Sequence, residues 1–389
     1  MSALLQELQI HNFRNHEYFS IQNPKQLIII IGRNAVGKTN IIEAVQLVTM
    51  LESFRSPHWS TVVCSSKKTD KTTRNNATVL ARFLQNGRTI EIQMDIDEGK
   101  RSYFLNDKKR NRQELIGLVP SVIFVPDDLT LIKSSSEVRR KTIDDIGQQL
   151  SPTYLKILTD YQKTIKQRNA ILKSINETKQ SPTLLESWNE SLVVLGALLF
   201  THRIRLYQRY MEKVSTCYQQ IYKEESFSSR YFPSFFEEEK DCLCLEEEEN
   251  RKTETALLEM DKKEVENRIS EKLKKVREKE QTREITLVGP HRDDISFFID
   301  GLDARKYASQ GQQRSIALAL KLGQLELIKE ISGNQPILLL DDVMSELDEN
   351  RREALINAIG GQIQTIITST DLNCFNEALL KNAQIIELL

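Results

Sequence analysis

The sequence lacks a surplus of either charge. Its 54 Lys and Arg are matched by 55 Asp and Glu, a formal net charge of -1, so no global field draws the chain to a polyanion and any nucleic-acid surface has to be a local patch. Long apolar runs are missing as well. None approaches the roughly 20 residues that cross a bilayer, and residues 1–10 are interrupted by Gln6, Glu7 and Gln9, unlike the apolar core of an export signal. The expectation is a cytoplasmic chain with no membrane partner. Cysteine is scarce: Cys64, Cys217, Cys242, Cys244 and Cys374 are odd in number and scattered. Cys242-Leu243-Cys244 has no second pair to complete a zinc site, so reduced structural thiols are expected. What is present is a globular balance, 39% hydrophobic and 28% charged over 389 residues, long enough for two or three domains.

Along the first 125 residues strand and helix patterns alternate. Apolar alternation predicts strands over 4–10, 18–21, 77–83, 89–95 and 101–105, with Asn86-Gly87 as a hairpin turn. The apolar runs at 27–31 and 119–125 suit buried strands, and 40–50 has apolar residues at helical spacing. Residues 61–76 are polar, Lys-rich and aperiodic, as in a surface loop. Past residue 130 the chain turns helical. Ser134 to Ser136 offers a cap for a helix near Glu137, and Ser151-Pro152 opens a second. Long amphipathic patterns follow over 153–178 and 182–224, then an irregular, acidic stretch over 227–249 and a strongly charged helix over 252–279. Strand patterns return at 295–300, 337–340 and 365–368, with helices over 312–329 and 349–359. The fold class is α/β, with one sheet split by an inserted helical arm. Expected boundaries are 1–130 and 283–389 for the halves and 131–282 for the arm.

The most informative stretch is Gly32-Arg33-Asn34-Ala35-Val36-Gly37-Lys38-Thr39, an unbroken G-x-x-x-x-G-K-[ST] pattern between a strand and a helix. That order suits a phosphate-binding loop. Glycines let backbone N–H groups crowd around phosphates, Lys38 reaches the β- and γ-phosphates, Thr39 can ligate Mg²⁺, and the helix N-terminus adds its dipole. About 300 residues on, Ile337-Leu338-Leu339-Leu340 ends in Asp341-Asp342. This looks like a Walker B strand, in which Asp341 suits Mg²⁺ and Asp342 can polarise a water. Two acids after a core strand would be ordinary alone; with the loop they point to nucleotide hydrolysis. Ser309-Gln310-Gly311-Gln312-Gln313 opens the preceding helix with a hydroxyl and free N–H groups. It resembles the signature of ABC-type ATPases, which contacts the γ-phosphate held by the other subunit, and Ser345-Glu346-Leu347-Asp348 resembles their D-loop.

Further motifs narrow the resemblance. Asn12-Phe13-Arg14-Asn15, Arg139-Arg140, Lys166-Gln167-Arg168-Asn169-Ala170 and Gly289-Pro290-His291-Arg292-Asp293-Asp294, with the loop, the signature and Leu339-Leu340-Asp341-Asp342-Val343, together resemble the RecF family of bacterial recombination mediators over nearly the whole chain. The resemblance implies an SMC/Rad50-like ABC-type ATPase head with a short helical arm. It implies ATP and Mg²⁺ as cofactors, an ATP-dependent homodimer, and a weak DNA-dependent hydrolysis that resets the dimer. Single-stranded and gapped duplex DNA, with RecR- and RecO-type mediators, are the partners it implies, in loading RecA during repair, replication and the SOS response near the nucleoid. By position, Gly32 to Thr39 hold the phosphates with Asn34 near the γ-phosphate, and Arg14 and Asn15 lie near the nucleotide. Thr39 and Asp341 serve Mg²⁺, Lys38 and Asp342 serve hydrolysis, and Ser309 and Gly311 act across the dimer.

Some positions depart from that pattern or stay open. Lys133-Ser134-Ser135-Ser136 replaces a Gly-Ser-Pro-Ser-like turn; Thr368-Ser369-Thr370 stands where transporters carry a switch histidine, which implies slow hydrolysis; Val125-Pro126-Asp127-Asp128 lies near a Q-loop position but has no glutamine. Residues 291–294 read either as a junction that senses nucleotide or partner, or as a buried ion-pair cluster fixing the arm. The clusters Lys67, Lys68, Lys71, Arg74 and Lys108, Lys109, Arg110, Arg112 read as DNA-phosphate contacts or as solubilising loops. The acid runs at 237–239 and 246–249 read as solvated loop. A mainly architectural SMC-like ATPase is the rival function; a transporter subunit is disfavoured by the arm and the missing histidine.

Overall fold

A computed structural model describes residues 3–55, 59–63, 76–178, 182–236, 247–359 and 363–388. Contacts divide the chain into two compact units, one of Met1–Leu129 with Leu320–Leu389 and one of Thr130–Ala319.

The first unit is assembled around the helix Lys38–Thr49. Ile41, Ile42, Ala44, Val45, Leu47 and Val48 leave almost no face without an apolar residue, and all are buried. Such a helix needs cover on several sides, and it packs on strands of two sheets. One sheet is parallel, in the order Gln384–Leu388, Leu27–Gly32, Thr365–Ser369, Ile337–Asp341, Ser121–Phe124. Its central strands are continuous apolar runs because both faces are covered. Two of its strands precede the inserted helices and three follow them, so the split sheet expected above is one sheet. The other sheet is antiparallel, in the order His16–Gln22, Leu4–Phe13, Asn76–Gln85, Arg88–Asp97, Lys100–Leu105, Lys108–Arg110. Asn86 and Gly87, at φ 53° and 73°, turn the chain between its third and fourth strands, the backbone that a two-residue hairpin needs. Gln364 links the sheets, its amide bonding both backbone groups of Leu5.

The second unit contains the helices Ser136–Leu150, Pro152–Thr178, Pro182–Ile221, Glu247–Glu259 and Lys262–Arg283. Three expectations need correction. The stretch expected to be irregular from residue 227 holds a strand, Phe227–Phe232, paired with Asp294–Ile299, which pairs in turn with Leu302–Asp303. The single charged helix over 252–279 is two helices, because Asp261 starts a new one by accepting from the Glu264 N–H at 2.7 Å. The long helix stops at Ile221 rather than near 224. The compact unit itself comprises Thr130–Ala319. Ser135 occupies the cap position of Ser136–Leu150, but its hydroxyl makes no capping bond. The segment 184–221, 38 residues, is long and apolar enough by composition to cross a membrane. In the second unit it packs against the helices before it and after it, burying Leu192, Leu199, Phe200, Ile204 and Val214.

Three of the sequence motifs converge inside this unit. Arg168 pairs with Glu280 at 2.6 Å and also donates to Asn189 and Thr286. Arg203 forks onto Asp144 at 3.0 and 2.9 Å and donates to the Pro290 carbonyl, while Arg139 forks onto Asp294. Asp293, fully buried, accepts from the Tyr231 hydroxyl at 2.6 Å and the Ser234 N–H at 2.7 Å. Burial raises its pKa, opposed by Arg203. His291 lies between the Tyr161 hydroxyl at 2.7 Å and the Thr286 carbonyl at 3.1 Å. Of the two readings for 291–294, the arrangement favours a buried polar cluster, in which Asp294 is ion-paired with Arg139 and Asp293 is satisfied by hydrogen bonds, as low-dielectric surroundings demand.

Burial lowers the His291 pKa to about 3, against the Thr286 hydrogen bond. Between its ordinary value and about 3 the unfolded chain binds a proton that the folded chain refuses, so stability present above the ordinary value is lost as pH falls through this window. The group contributes at most about 1.4 kcal/mol per pH unit. Urea unfolding from pH 7 down to pH 4 should therefore show a shallower decline for His291→Gln than for the wild type; parallel curves would contradict the burial assigned to the ring.

Candidate functional site

The glycine loop is braced from outside by the turn between the first two strands. Gly37 caps the helix at φ 110°, and a Cβ there would lie 2.5 Å from Asn15 Oδ1 and 2.6 Å from His16 Nε2. Glycine is required by conformation and by space. Asn15 Nδ2 donates to the Val36 carbonyl at 2.9 Å, Asn40 donates to Asn15 Oδ1 at 2.6 Å, and His16 Nε2 lies 3.0 Å from the Gly37 carbonyl. Lys38 Nζ folds along the loop, donating to Gly32 O at 2.6 Å and Arg33 O at 3.1 Å. Ala35 adopts φ 67°, which turns the loop between its two glycines.

Arg14 bonds the helix that follows the loop. Its guanidinium forks onto Glu43, 2.9 Å through Nε and 2.6 Å through the second arm, and Glu43 is completely buried in the helix Lys38–Thr49. Ser53 donates to the same carboxylate at 2.5 Å, and Arg55 stands 3.9 Å away. Of the two residues expected beside the nucleotide, Asn15 therefore bonds the loop itself, whereas Arg14 bonds the helix behind it. Glu43, Asn40 and His16 were not singled out from the sequence. A carboxylate at the centre of an otherwise apolar helix was the available signal for Glu43.

The carboxylate end of the site is built by strand order. Thr365–Ser369 lies between the loop strand and Ile337–Asp341, pairing Thr368 with Ile30 on one side and Asp341 on the other. Thr368 Oγ1 donates to Asp341 Oδ1 at 2.8 Å and accepts from the Asp342 N–H at 3.0 Å. Burial raises the Asp341 pKa, while hydrogen bonds from Thr368 and Thr39 lower it. The loop threonine and the strand carboxylate, some 300 residues apart, thus lie close enough for one to influence the other. Asp342 takes a left-handed backbone at φ 53°, and its buried Oδ1 has no hydrogen-bond partner among the described residues. A hydroxyl and a carboxylate are hard oxygen donors, and no cluster of three or more His, Cys, Asp or Glu among the described residues could hold a metal without further ligands. This set fits Mg²⁺, which is held by one or two carboxylates together with phosphate.

The other sequence candidates belong to other elements. Ser309 and Gly311 belong to the second unit, where Ser309 is exposed at the start of Gln310–Ser332. Asp348 of the D-loop-like segment caps Glu349–Ile359 by accepting from the Arg351 N–H at 3.0 Å. Asp128 pairs with Lys321 at 2.9 Å and accepts from the Val125 N–H, a structural arrangement for the segment without a Q-loop glutamine. Lys108 to Arg110 form an exposed edge strand, with Arg110 paired to Glu114 and Arg112 to Glu52. Lys67, Lys68, Lys71, Arg74, the acidic residues 237–239 and 246, Cys64, Cys242 and Cys244 fall outside the described residues. Cys217 and Cys374 form no disulfide among the described residues.

With this geometry in place, comparison with known proteins decides the family. The model of the RecF/RecN/SMC N terminal domain matches residues 4–387. The DNA replication and repair protein RecF of Oceanobacillus iheyensis is 33% identical over 98% of this chain and 97% of its own; that of Bacillus subtilis is 34% identical over 97% and 96%. The chain belongs to the RecF family. A solved structure of the recombination mediator protein RecF-ATPrS in the RecFOR pathway superposes with a TM-score of 0.83 at 30% identity, over 96% of this chain and 94% of that one. The Smc head domain of Pyrococcus furiosus, at 15% identity and a TM-score of 0.52 over 99% and 93%, shares the fold alone. The RecF-family chain thus has an SMC-like, ABC-type α/β head with an inserted helical region.

The bracing of the RecF loop yields a stability contrast. Arg14→Ala leaves Glu43 buried and without its main counter-charge, and should lower unfolding free energy by about 3 kcal/mol. Arg55→Ala, at a half-exposed partner 3.9 Å away, should cost less than about 1 kcal/mol. Equal midpoints for the two variants in urea would contradict the assignment.

Proposed function

We propose that this RecF-family chain binds MgATP at the glycine loop and hydrolyses it slowly. Bound ATP joins two copies into a clamp that acts on gapped duplex and single-stranded DNA. The observation that carries the proposal is the strand order: Thr365–Ser369 pairs with the glycine-loop strand on one side and with the Asp341 strand on the other, its Thr368 bonded to Asp341. Related RecF structures carrying ATP and ATPrS lend support.

In this reading the N–H groups from Gly32 to Thr39 bind the phosphates, Asn34 lies beside the γ-phosphate, and Lys38 exchanges its loop carbonyls for phosphate oxygens. Thr39 and Asp341 would hold Mg²⁺, which when bound would supply positive charge against that developing on the phosphates. Asp342, whose buried Oδ1 has no hydrogen-bond partner among the described residues, orients the attacking water, and Asn15 keeps the loop in shape from behind. Ser309 and Gly311 of one copy contact the γ-phosphate of the other. Threonine at 368 cannot change protonation as a histidine can, which is why hydrolysis is slow. Residues 1–130 and 283–389 act as the ATPase head and 131–282 as the arm. The chain works in the cytoplasm at the nucleoid, with RecO- and RecR-type mediators, in loading RecA during repair, replication and the SOS response.

Sedimentation with and without ATP, in the presence of gapped or blunt duplex at two salt concentrations, tests this. The wild type and Asp342→Asn should dimerise with ATP and prefer the gapped duplex, Lys38→Met should not dimerise, and Asp342→Asn should hydrolyse ATP about 100-fold more slowly. A wild type that stays monomeric in saturating ATP, or a Lys38→Met that dimerises equally well, would sink the proposal.

A further inference from the structure

The helix that carries the candidate signature begins with a reciprocal cap. Ser309 Oγ accepts from the Gln312 N–H at 3.2 Å, and Gln312 Oε1 accepts from the Ser309 N–H at 2.8 Å. The Ser309 hydroxyl uses only a lone pair here, so its own proton remains available to an anion. The Gln312 side chain is held from its other end. Its Nε2 donates to Glu225 Oε1 at 2.9 Å, and an ionised carboxylate only accepts. Turning the amide over would set two oxygens against each other and remove the acceptor from Ser309.

Glu225 is itself fixed. Its second oxygen accepts from the Tyr218 hydroxyl, which burial keeps protonated by raising its pKa. Tyr218 lies in the last turn of Pro182–Ile221 and stacks on Phe227 with centroids 5.3 Å apart. Next to Glu225, the Ser226 N–H donates to Asp300 Oδ1 at 2.8 Å, and the Asp300 N–H returns to Ser226 O at 2.9 Å.

We infer that Glu225 is a positioning residue that sets the Gln312 amide, and through it presents the Ser309 hydroxyl to a phosphate held by a second copy. Tyr218 makes this presentation answer to the 40-residue helix. The inference rests on the trans role of Ser309 and Gly311 under the proposed function; the cap itself does not.

The experiment compares wild type, Glu225→Ala, Glu225→Gln, Tyr218→Phe, Gln312→Ala and the Glu225→Ala/Gln312→Ala pair. Three quantities are read: amide hydrogen exchange at 309–313 without nucleotide, ATP affinity of the monomer, and ATP-induced self-association. Losing a hydrogen bond to a charged group should speed exchange at Gln312 and Gln313 about tenfold in Glu225→Ala and weaken self-association about tenfold, with monomer affinity for ATP unchanged. Glu225→Gln should restore most of both, since its amide oxygen still accepts from Gln312. Tyr218→Phe, which removes a single hydroxyl, should fall in between, and the double variant should match Gln312→Ala. Wild-type exchange at 309–313 in Glu225→Ala, or additive effects in the double variant, overturns the relay. If the wild type fails to associate in saturating ATP, the trans reading of Ser309 and Gly311 fails, and the exchange data alone still decide whether Glu225 holds the cap.

Discussion

The hydrogen bond from Thr368 Oγ1 to Asp341 Oδ1, 2.8 Å long, marks the constraint on which the candidate site depends. Its strand, Thr365–Ser369, bonds to the glycine-loop strand on one side and to the Asp341 strand on the other. Parallel neighbours lie about 4.8 Å apart, so two strands separated by a third hold their ends roughly 10 Å apart, room for a phosphate with its cation. All three strands run the same way, which puts the loop and both carboxylates at carboxyl ends, where open α/β sheets gather their ligands. A register slip at Thr365–Ser369 would separate the two halves of the site without altering any of its side chains.

Within each unit, buried charges are paired rather than avoided. In the first unit Glu43 is completely buried behind the loop, and the turn carrying Arg14 also carries Asn15, which bonds Val36. One ion pair thus fixes the element that braces the loop. In the second unit Arg168 with Glu280 and Arg203 with Asp144 tie together segments more than 50 residues apart. Buried pairs of this kind are weak sources of net stability but penalise wrong arrangements heavily. We regard them as registry devices: each pins a motif-bearing segment to the helix beside it.

Much of the parallel sheet was legible because doubly covered strands are plain apolar runs, as Ile28 to Ile31 and Ile337 to Leu340 are. The glycine loop was legible because its backbone geometry allows few residue types. Phe227–Phe232 was not, since its two serines and one arginine hide the alternation and an acidic run follows; its pairing with Asp294–Ile299 is a long-range choice. The break before Lys262 was masked by charge that continues through it, with Asp261 distinguishable only as a cap. Edge strands such as Gln384–Leu388 and Lys108–Arg110 are too short to establish a period. In the site, the loop threonine and the strand carboxylates were readable as types, but the commitment of Arg14 to Glu43 depends on a helix and a turn meeting in space. The hold of Thr368 on Asp341 and on the Asp342 N–H follows from strand order, which no local pattern carries.

The central claim is that the loop and the carboxylate strand hold one MgATP between them. Its most direct test is calorimetric titration of ATP into wild type and Asp341→Asn, each with Mg²⁺ and with chelator. The account predicts that Mg²⁺ tightens binding at least about tenfold in the wild type and little in Asp341→Asn, while both bind metal-free ATP alike through the loop. Affinities that ignore both the metal and the substitution would contradict it.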